Sequence, residues 1–250
     1  MTDAIRTAAA LLLETRRGGR TLSALPPEVR PATATDAYAV QDETLRALGP
    51  VGGWKVGAAS PDAEPACAPL PAGGVVRSPH AFQAAAFRLN GLEGEIAFTL
   101  ARDLPRRERA YDESDVLAAL ASVHPAIEIV DSRFDDMRAV DPLSALADLG
   151  SHGALAVGPG RSADLRVDQT RQRVTLEVDG AVAVDNVGGN AAGDVFRLLV
   201  WLANHTAERC GGLRAGQVVT TGSCTGLRFA TPPARVRATV AGIGACEVSL

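Results

Sequence analysis

The sequence predicts an α+β fold: a mixed β-sheet rolled into a barrel-like core, with a small helical N-terminal lobe. Three observations carry this expectation. Strand-like segments outnumber helical ones, two of them face each other across a tight turn, and helices do not alternate with strands as a doubly wound sheet requires. Helical pattern dominates only at the start, which divides the chain into a lobe over residues 1–50 and a β-rich domain over 51–250.

The first helix covers residues 2–16, with Thr2 or Asp3 as cap, Leu11-Leu12-Leu13 within it and Gly18-Gly19 as its stop. Prolines at 26, 27 and 31 break the chain, and Thr35 then caps a helix over Asp36–Leu48 that Gly49-Pro50 ends. Residues 61–81 are rich in Pro, Ala and Gly and read as an irregular loop, of the kind that walls or covers a pocket. Leu92–Leu100 is a strand. Asp112 or Ser114 caps the next helix, whose apolar face is Val116, Leu117, Leu120 and Val123; Pro125 ends it and launches a strand around Glu128. A short helix from Asp141-Pro142 to Leu149 precedes a strand at Ala154–Val157. Val174–Val178 and Ala181–Asp185 form the hairpin around Asp179-Gly180. Asp194 caps a helix that runs to Gly211, and Gln217–Thr221, Val236–Val240 and Ala245–Leu250 are the closing strands.

Chemistry concentrates in two of these strands. Glu93 and Glu95 are two apart, so in an extended chain both carboxylates leave one face, roughly 7 Å apart at the strand repeat. Glu128 interrupts the apolar run Ala126, Ile127, Ile129 and Val130, where an unpaired charge costs on the order of several kcal/mol. Glu93 and Glu95 alone also fit a solvated strand face, but with Glu128 the three carboxylates could form half of an all-oxygen octahedral site suited to Mg2+ or Mn2+, with positions left for water and substrate oxygens. Lys55 lies between Trp54 and Val56 in a glycine-flanked segment. An ammonium held in so apolar a setting can have a lowered pKa that suits proton transfer, and the alternative is a lysine that reaches past Trp54 to solvent.

Composition limits the partners. Lys+Arg total 25 against Asp+Glu 29, a formal charge of −4 spread along the chain, so no basic stripe exists for nucleic acid or an anionic membrane. No apolar run reaches membrane-spanning length, and no signal segment opens the chain. The four cysteines make no C-x-x-C pair and read as reduced thiols, which places the protein in the cytoplasm.

In their order and spacing, several segments resemble the fumarylacetoacetate hydrolase superfamily, in its 2-keto-4-pentenoate hydratase and 4-oxalocrotonate decarboxylase branch. They are Ala37–Gln41, Gly53–Gly57, Glu93–Ala97, Pro125–Arg133, Trp201–Asn204 and Leu213–Gly222. The resemblance implies a fumarylacetoacetase C-terminal-like rolled sheet, a divalent metal on Glu93, Glu95 and Glu128, and Lys55 as catalytic residue beside a small 2-keto acid. It implies a hydro-lyase that converts 2-hydroxypenta-2,4-dienoate to 4-hydroxy-2-oxopentanoate. The alternatives are a 4-oxalocrotonate-type decarboxylase, an acylpyruvate C–C hydrolase, or a non-catalytic metal- or acid-binding homologue. Gly222 and Ser223 would bind the substrate carboxylate or the attacking water, and Asp148 and His152 would line the pocket. Relatives form homo-oligomers, and association with a pathway enzyme is a further expectation. The chain departs from its relatives at Glu64–Leu70, at Leu149 and at Val195, all around the expected pocket wall. Of the other histidines, His80 is the one near a lid, His124 ends its helix favourably for the dipole, and His205, on the Trp201 helix, is a surface or helix-packing residue.

Overall fold

Two β-sheets and five α-helices make up the described residues, 2–18, 20–83 and 85–250, of the computed structural model. The chain opens with α1 (Asp3–Arg16) and α2 (Ala34–Leu48), then β1 (Val51–Gly57), β2 (Ala66–Pro71), β3 (Val75–Arg77), β4 (His80–Ala81) and β5 (Gly91–Leu100). Next come α3 (Glu113–Ala119), β6 (Leu120–Val130), α4 (Pro142–Ala147) and β7 (His152–Val157). The hairpin β8 (Arg173–Val178) and β9 (Ala181–Val187) leads to α5 (Val195–Cys210), and β10 (Val218–Ser223), β11 (Arg228–Phe229), β12 (Arg235–Val240) and β13 (Gly244–Ser249) complete the fold.

The larger sheet runs β2-β1-β10-β5-β6-β7-β3, with β11 on the end of β5; the smaller runs β4-β13-β12-β8-β9. The two edge strands of the larger sheet, β2 and β3, are consecutive in the chain and joined only through residues 72–74. The sheet must therefore curl until its edges nearly meet. No ladder joins β2 to β3 among the described residues, so the core is an open roll and the expected barrel is incomplete.

Alternation of side chains gives this roll two different faces. On the outer face Trp54, Val56, Ile96, Phe98 and Val219 pack against Phe196, Leu199 and Leu202 of α5. Further along the same face, Leu92, Ile127, Ile129 and Ala156 meet Leu176, Val236, Ala238 and Val248 of the smaller sheet. Each such large apolar side chain contributes about 1.5–3 kcal/mol on burial. The inner face has only a small apolar centre, Leu70, Ala97, Ala126 and Leu155, and carries polar residues on either side of it. The N-terminal helices cover one flank of the larger sheet, where Tyr38 of α2 joins the Trp54 cluster and Gln41 donates to the Cys67 carbonyl of β2. Ala8, Ala9 and Leu12 of α1 pack with Ala37 and Val40 of α2 over Phe134 and Ala147.

Local signals explain most boundaries. Thr33, not Thr35, caps α2: its hydroxyl accepts from the Asp36 N–H, and the Asp36 carboxylate accepts from the Thr33 N–H. Asp112 and Asp115 do the same for α3, and Asp194 caps α5. Thr2 precedes α1 without a side-chain cap; Gly18 lies just beyond its end, and Gly19, the other half of the expected stop, is outside the described residues. The hairpin turns on Asp179 (φ 51°) and Gly180 (φ 81°), the two left-handed positions a type I′ turn requires.

Two expectations fail. Residues 61–81 hold β2, β3 and β4 rather than an irregular loop; β2 is an edge strand, where Pro69 and Pro71 interrupt no central ladder. α3 stops at Ala119, so Leu120, Val123 and His124 belong to β6 and His124 ends no helix. Pro125 does not start β6 but lies inside it. Its carbonyl accepts from the Gly158 N–H at 2.8 Å, so its missing N–H faces that same flank, where β7 has just ended. No described helix is long and apolar enough to cross a membrane.

Candidate metal centre

β5 and β6 pair so that Glu93 stands opposite Glu128, and Glu95 follows two residues along the same face. One carboxylate oxygen from each lies within 4.8 Å of the others. Glu95 and Glu128 are buried and Glu93 is partly exposed, so the cluster opens on one side only. Gly94 lets the neighbouring segment come close. A Cβ there would meet Thr225 Cγ2 at 2.9 Å, and the Gly94 N–H donates to Thr225 Oγ1 across that gap at 2.9 Å.

Charge balance shows what the cluster lacks. Burial, then the charge of Glu128, raises the pKa of Glu93, and burial with both neighbouring carboxylates pushes Glu95 up to about 8. Burial also pushes Glu128 upward, but the Lys55 charge and the His152 hydrogen bond outweigh it and hold this carboxylate below its ordinary range. Glu128 Oε1 accepts from Lys55 Nζ at 2.7 Å and from His152 Nδ1 at 3.0 Å, while buried Oε2 has no partner. A buried carboxylate oxygen without a donor is costly. Three converging carboxylates with one oxygen so left over fit a hard divalent cation, which takes oxygen ligands.

Lys55, on β1, reaches the cluster from across the roll and also donates to the Gly150 carbonyl at 3.0 Å. Burial pulls its pKa down, yet the three carboxylates outweigh burial and the net shift is upward, opposite to the sequence expectation. The Gly150 carbonyl is aimed by an unusual turn in which Leu149 (φ 52°), Gly150 (φ 60°) and Ser151 (φ 58°) are all left-handed. Such strain costs about 1–3 kcal/mol for each non-glycine residue and persists where surrounding structure holds it.

His152 and Asp148 support the site from behind and do not line it. His152 is fully buried, with burial lowering its pKa against the pull of Glu128, and its ring orients Glu128. The Asp148 carboxylate accepts from Arg133 Nε at 2.7 Å and from the Arg133 N–H at 2.9 Å, with Arg16 Nη2 at 3.9 Å. Asp148→Ala leaves two arginines without their buried counter-charge. A loss of about 3–5 kcal/mol in denaturant unfolding is expected, and a loss within about 0.5 kcal/mol would mean that the pair is not structural.

Three supporting residues escaped the sequence reading. The Thr220 hydroxyl donates to Glu95 Oε2. Asn190 Nδ2 donates to the Thr221 carbonyl at 2.8 Å and Gln169 Nε2 to the Thr221 hydroxyl at 3.0 Å, which fixes the segment leading into Gly222 and Ser223. β10 meets β5 there, with Ser223 opposite Glu95. Ser223 stands near enough to Glu93 to lower its pKa, yet its buried Oγ makes no well-formed hydrogen bond. Two other candidates lie elsewhere: His80 packs edge-on to Phe82 on the smaller sheet, and His205 stacks on Trp201 at 4.5 Å. Glu64 accepts from the Trp201 indole N–H at 2.7 Å and so ties the segment before β2 to α5, whose first residue is Val195.

A rolled mixed sheet presenting an acidic triad and a lysine defines an α+β protein with a candidate divalent-metal centre. The fumarylacetoacetate (FAA) hydrolase C-terminal profile matches residues 63–250, and the chain belongs to that family. It is 29% identical over 257 residues to 2-hydroxyhexa-2,4-dienoate hydratase of Comamonas testosteroni, covering 98% of this chain and 96% of the relative. It is 31% identical over 233 residues to 2-keto-4-pentenoate hydratase of Burkholderia vietnamiensis, covering 88% and 87%. Among solved structures, 4-oxalocrotonate decarboxylase from Pseudomonas putida G7, complexed with magnesium and adipate, superposes with a TM-score of 0.86. It is 24% identical and covers 100% of this chain and 98% of its own.

Proposed function

We propose that the protein is a metal-dependent hydro-lyase that hydrates 2-hydroxypenta-2,4-dienoate to 4-hydroxy-2-oxopentanoate. The observation that carries this reading is the meeting of Glu93, Glu95 and Glu128 around one partnerless oxygen, with the Lys55 ammonium at 2.7 Å from Glu128. Two relatives that align with most of the chain are named as hydratases of 2,4-dienoate or 2-keto-4-pentenoate substrates.

In this reading Glu93, Glu95 and Glu128 hold Mg2+ or Mn2+, which supplies Lewis-acid polarisation of the substrate's 2-oxygen and carboxylate. Ser223 Oγ, buried and free of any well-formed bond, donates to the substrate carboxylate beside the Gly222 backbone. Lys55 relays to C5 of the dienol the proton that the 2-hydroxyl gives up on ketonisation, which leaves the double bond between C3 and C4. Water then adds at C4, and C3 takes up a proton. His152 and the Gly150 carbonyl keep Glu128 and Lys55 in place throughout. The active form is a homo-oligomer, as the family resemblance implies.

The likeness in fold to 4-oxalocrotonate decarboxylase favours a second reading in which the same centre releases CO2. Both are tested by following the dienol's ultraviolet absorbance with Mg2+ or Mn2+ while recording CO2. Loss of dienol without CO2 is expected. Consumption of 4-oxalocrotonate with stoichiometric CO2 would replace hydration by decarboxylation. Metal binding with neither reaction would remove the lyase reading.

A further inference from the structure

We infer that the opposite end of the roll holds a second binding site, built on Arg77, Thr99, Ser122 and His124, that takes a small organic carboxylate. These residues share the inner face with the triad. Thr99 lies four positions beyond Glu95 on β5 and His124 four positions before Glu128 on β6, roughly 13 Å away at the strand rise. Buried Ala97, Ala126 and Leu155 fill the space between. Beyond them a cavity of about 610 Å³ opens, bordered by the four residues and by Val157 and Val218.

The hydrogen count around His124 shows that this cavity receives a donor. His124 Nδ1 is 2.9 Å from the Gly158 carbonyl, which can only accept, so Nδ1 bears a proton in either charge state. Nε2 meets two hydroxyls, Ser122 Oγ at 2.7 Å and Thr99 Oγ1 at 3.1 Å, and no bond joins these hydroxyls to each other. A neutral ring has one lone pair there and satisfies one O–H. The other O–H must turn to the cavity. A protonated ring donates instead, and both hydroxyl protons then turn outward. At least one donor therefore faces the cavity whichever form is present.

Arg77 supplies the charge. It stands beside Val157 in the β3–β7 ladder and is exposed, and its side chain makes no ion pair or hydrogen bond among the described residues. No aspartate or glutamate borders the cavity. A guanidinium with a hydroxyl donor suits a carboxylate, and the valine walls suit a short aliphatic chain on it better than a bare inorganic anion.

The test uses metal-free full-length protein and 4,4,4-trifluorobutyrate, followed by fluorine NMR. Saturable binding in the millimolar range is expected. Arg77→Ala should weaken it by about tenfold or more, and Thr99→Val with Ser122→Ala by a comparable factor. Lys55→Met should leave it unchanged, because that lysine belongs to the other end. Arg77 is exposed, so its replacement does not threaten folding, and retained Mg2+ binding at the triad reports a native roll for the double variant. Absence of saturable binding up to about 50 mM, or binding that follows Lys55 instead of Arg77, would overturn the assignment.

Discussion

Glu95→Gln is expected to weaken Mg2+ binding by about 100-fold or more and, against intuition for a buried position, to stabilise the metal-free protein at alkaline pH. Loss of an outer-shell partner already costs about 10–100-fold in metal affinity, so loss of a ligand costs at least that. The stability effect follows from the raised pKa of about 8, caused by burial first and then by Glu128 and Glu93. A carboxylic acid whose folded pKa is raised holds its proton more tightly when folded. It therefore stabilises the metal-free fold at low pH, and that contribution fades as pH climbs from the ordinary carboxylate range through about 8. Glutamine does not titrate, and its amide oxygen still accepts from Thr220. The variant should escape this decline, worth on the order of a few kcal/mol. A bound dication reverses the sign for the wild type, because ligation needs the carboxylate and releases its proton. Melting temperatures from pH 5 to 9, with chelator and with Mg2+, check all three statements. Parallel curves for wild type and variant would show that Glu95 is neither frustrated nor a ligand.

That frustration also explains why the centre was legible in sequence. Glu93, Glu95 and Glu128 stand out because hydrophobic strands tolerate a carboxylate only for a reason, and period-two spacing fixes which of them share a face. Their register across β5 and β6 was not written in either strand; it follows from pairing that only the folded sheet supplies. Thr220 escaped because a threonine in a strand is ordinary and its partner is 125 residues away. The left-handed turn at Leu149, Gly150 and Ser151 was invisible for a different reason. Leucine and serine do not ask for that conformation, and the buried Leu149 side chain and the Arg133–Asp148 pair beside it impose it.

Residues 113–130 show where periodicity misleads. Val116, Leu117, Leu120 and Val123 fit a helical stripe, but Leu120 through Val130 also fits a strand, and proline usually marks a boundary. The fold resolves the ambiguity in favour of β6 because Pro125 turns its missing donor toward a flank that β7 does not reach. Moving the boundary brings His124 onto the inner face of the roll, which is what gives it the Ser122 and Thr99 contacts.

Lys55→Met should leave Mg2+ affinity within a few-fold of wild type while slowing dienol turnover by about 10²-fold or more, the usual scale for a removed acid or base. Methionine keeps most of the apolar stem and deletes the ammonium, so the change isolates charge and proton from packing. Glu128 Oε1 loses a donor at 2.7 Å but keeps His152, and its Oε2 is unaffected. In the metal-free protein the three carboxylates hold the lysine pKa above its ordinary value against the opposing effect of burial. A dication that cancels much of their charge leaves burial to act, so the lysine pKa should fall when Mg2+ binds. Activity that depends on the ammonium is lost as pH rises through that lowered pKa. The wild-type kcat profile should accordingly show an alkaline limb that the methionine variant lacks. An unchanged kcat, or the same alkaline limb in both proteins, would assign the proton transfers to another group and reduce Lys55 to a counter-charge for Glu128.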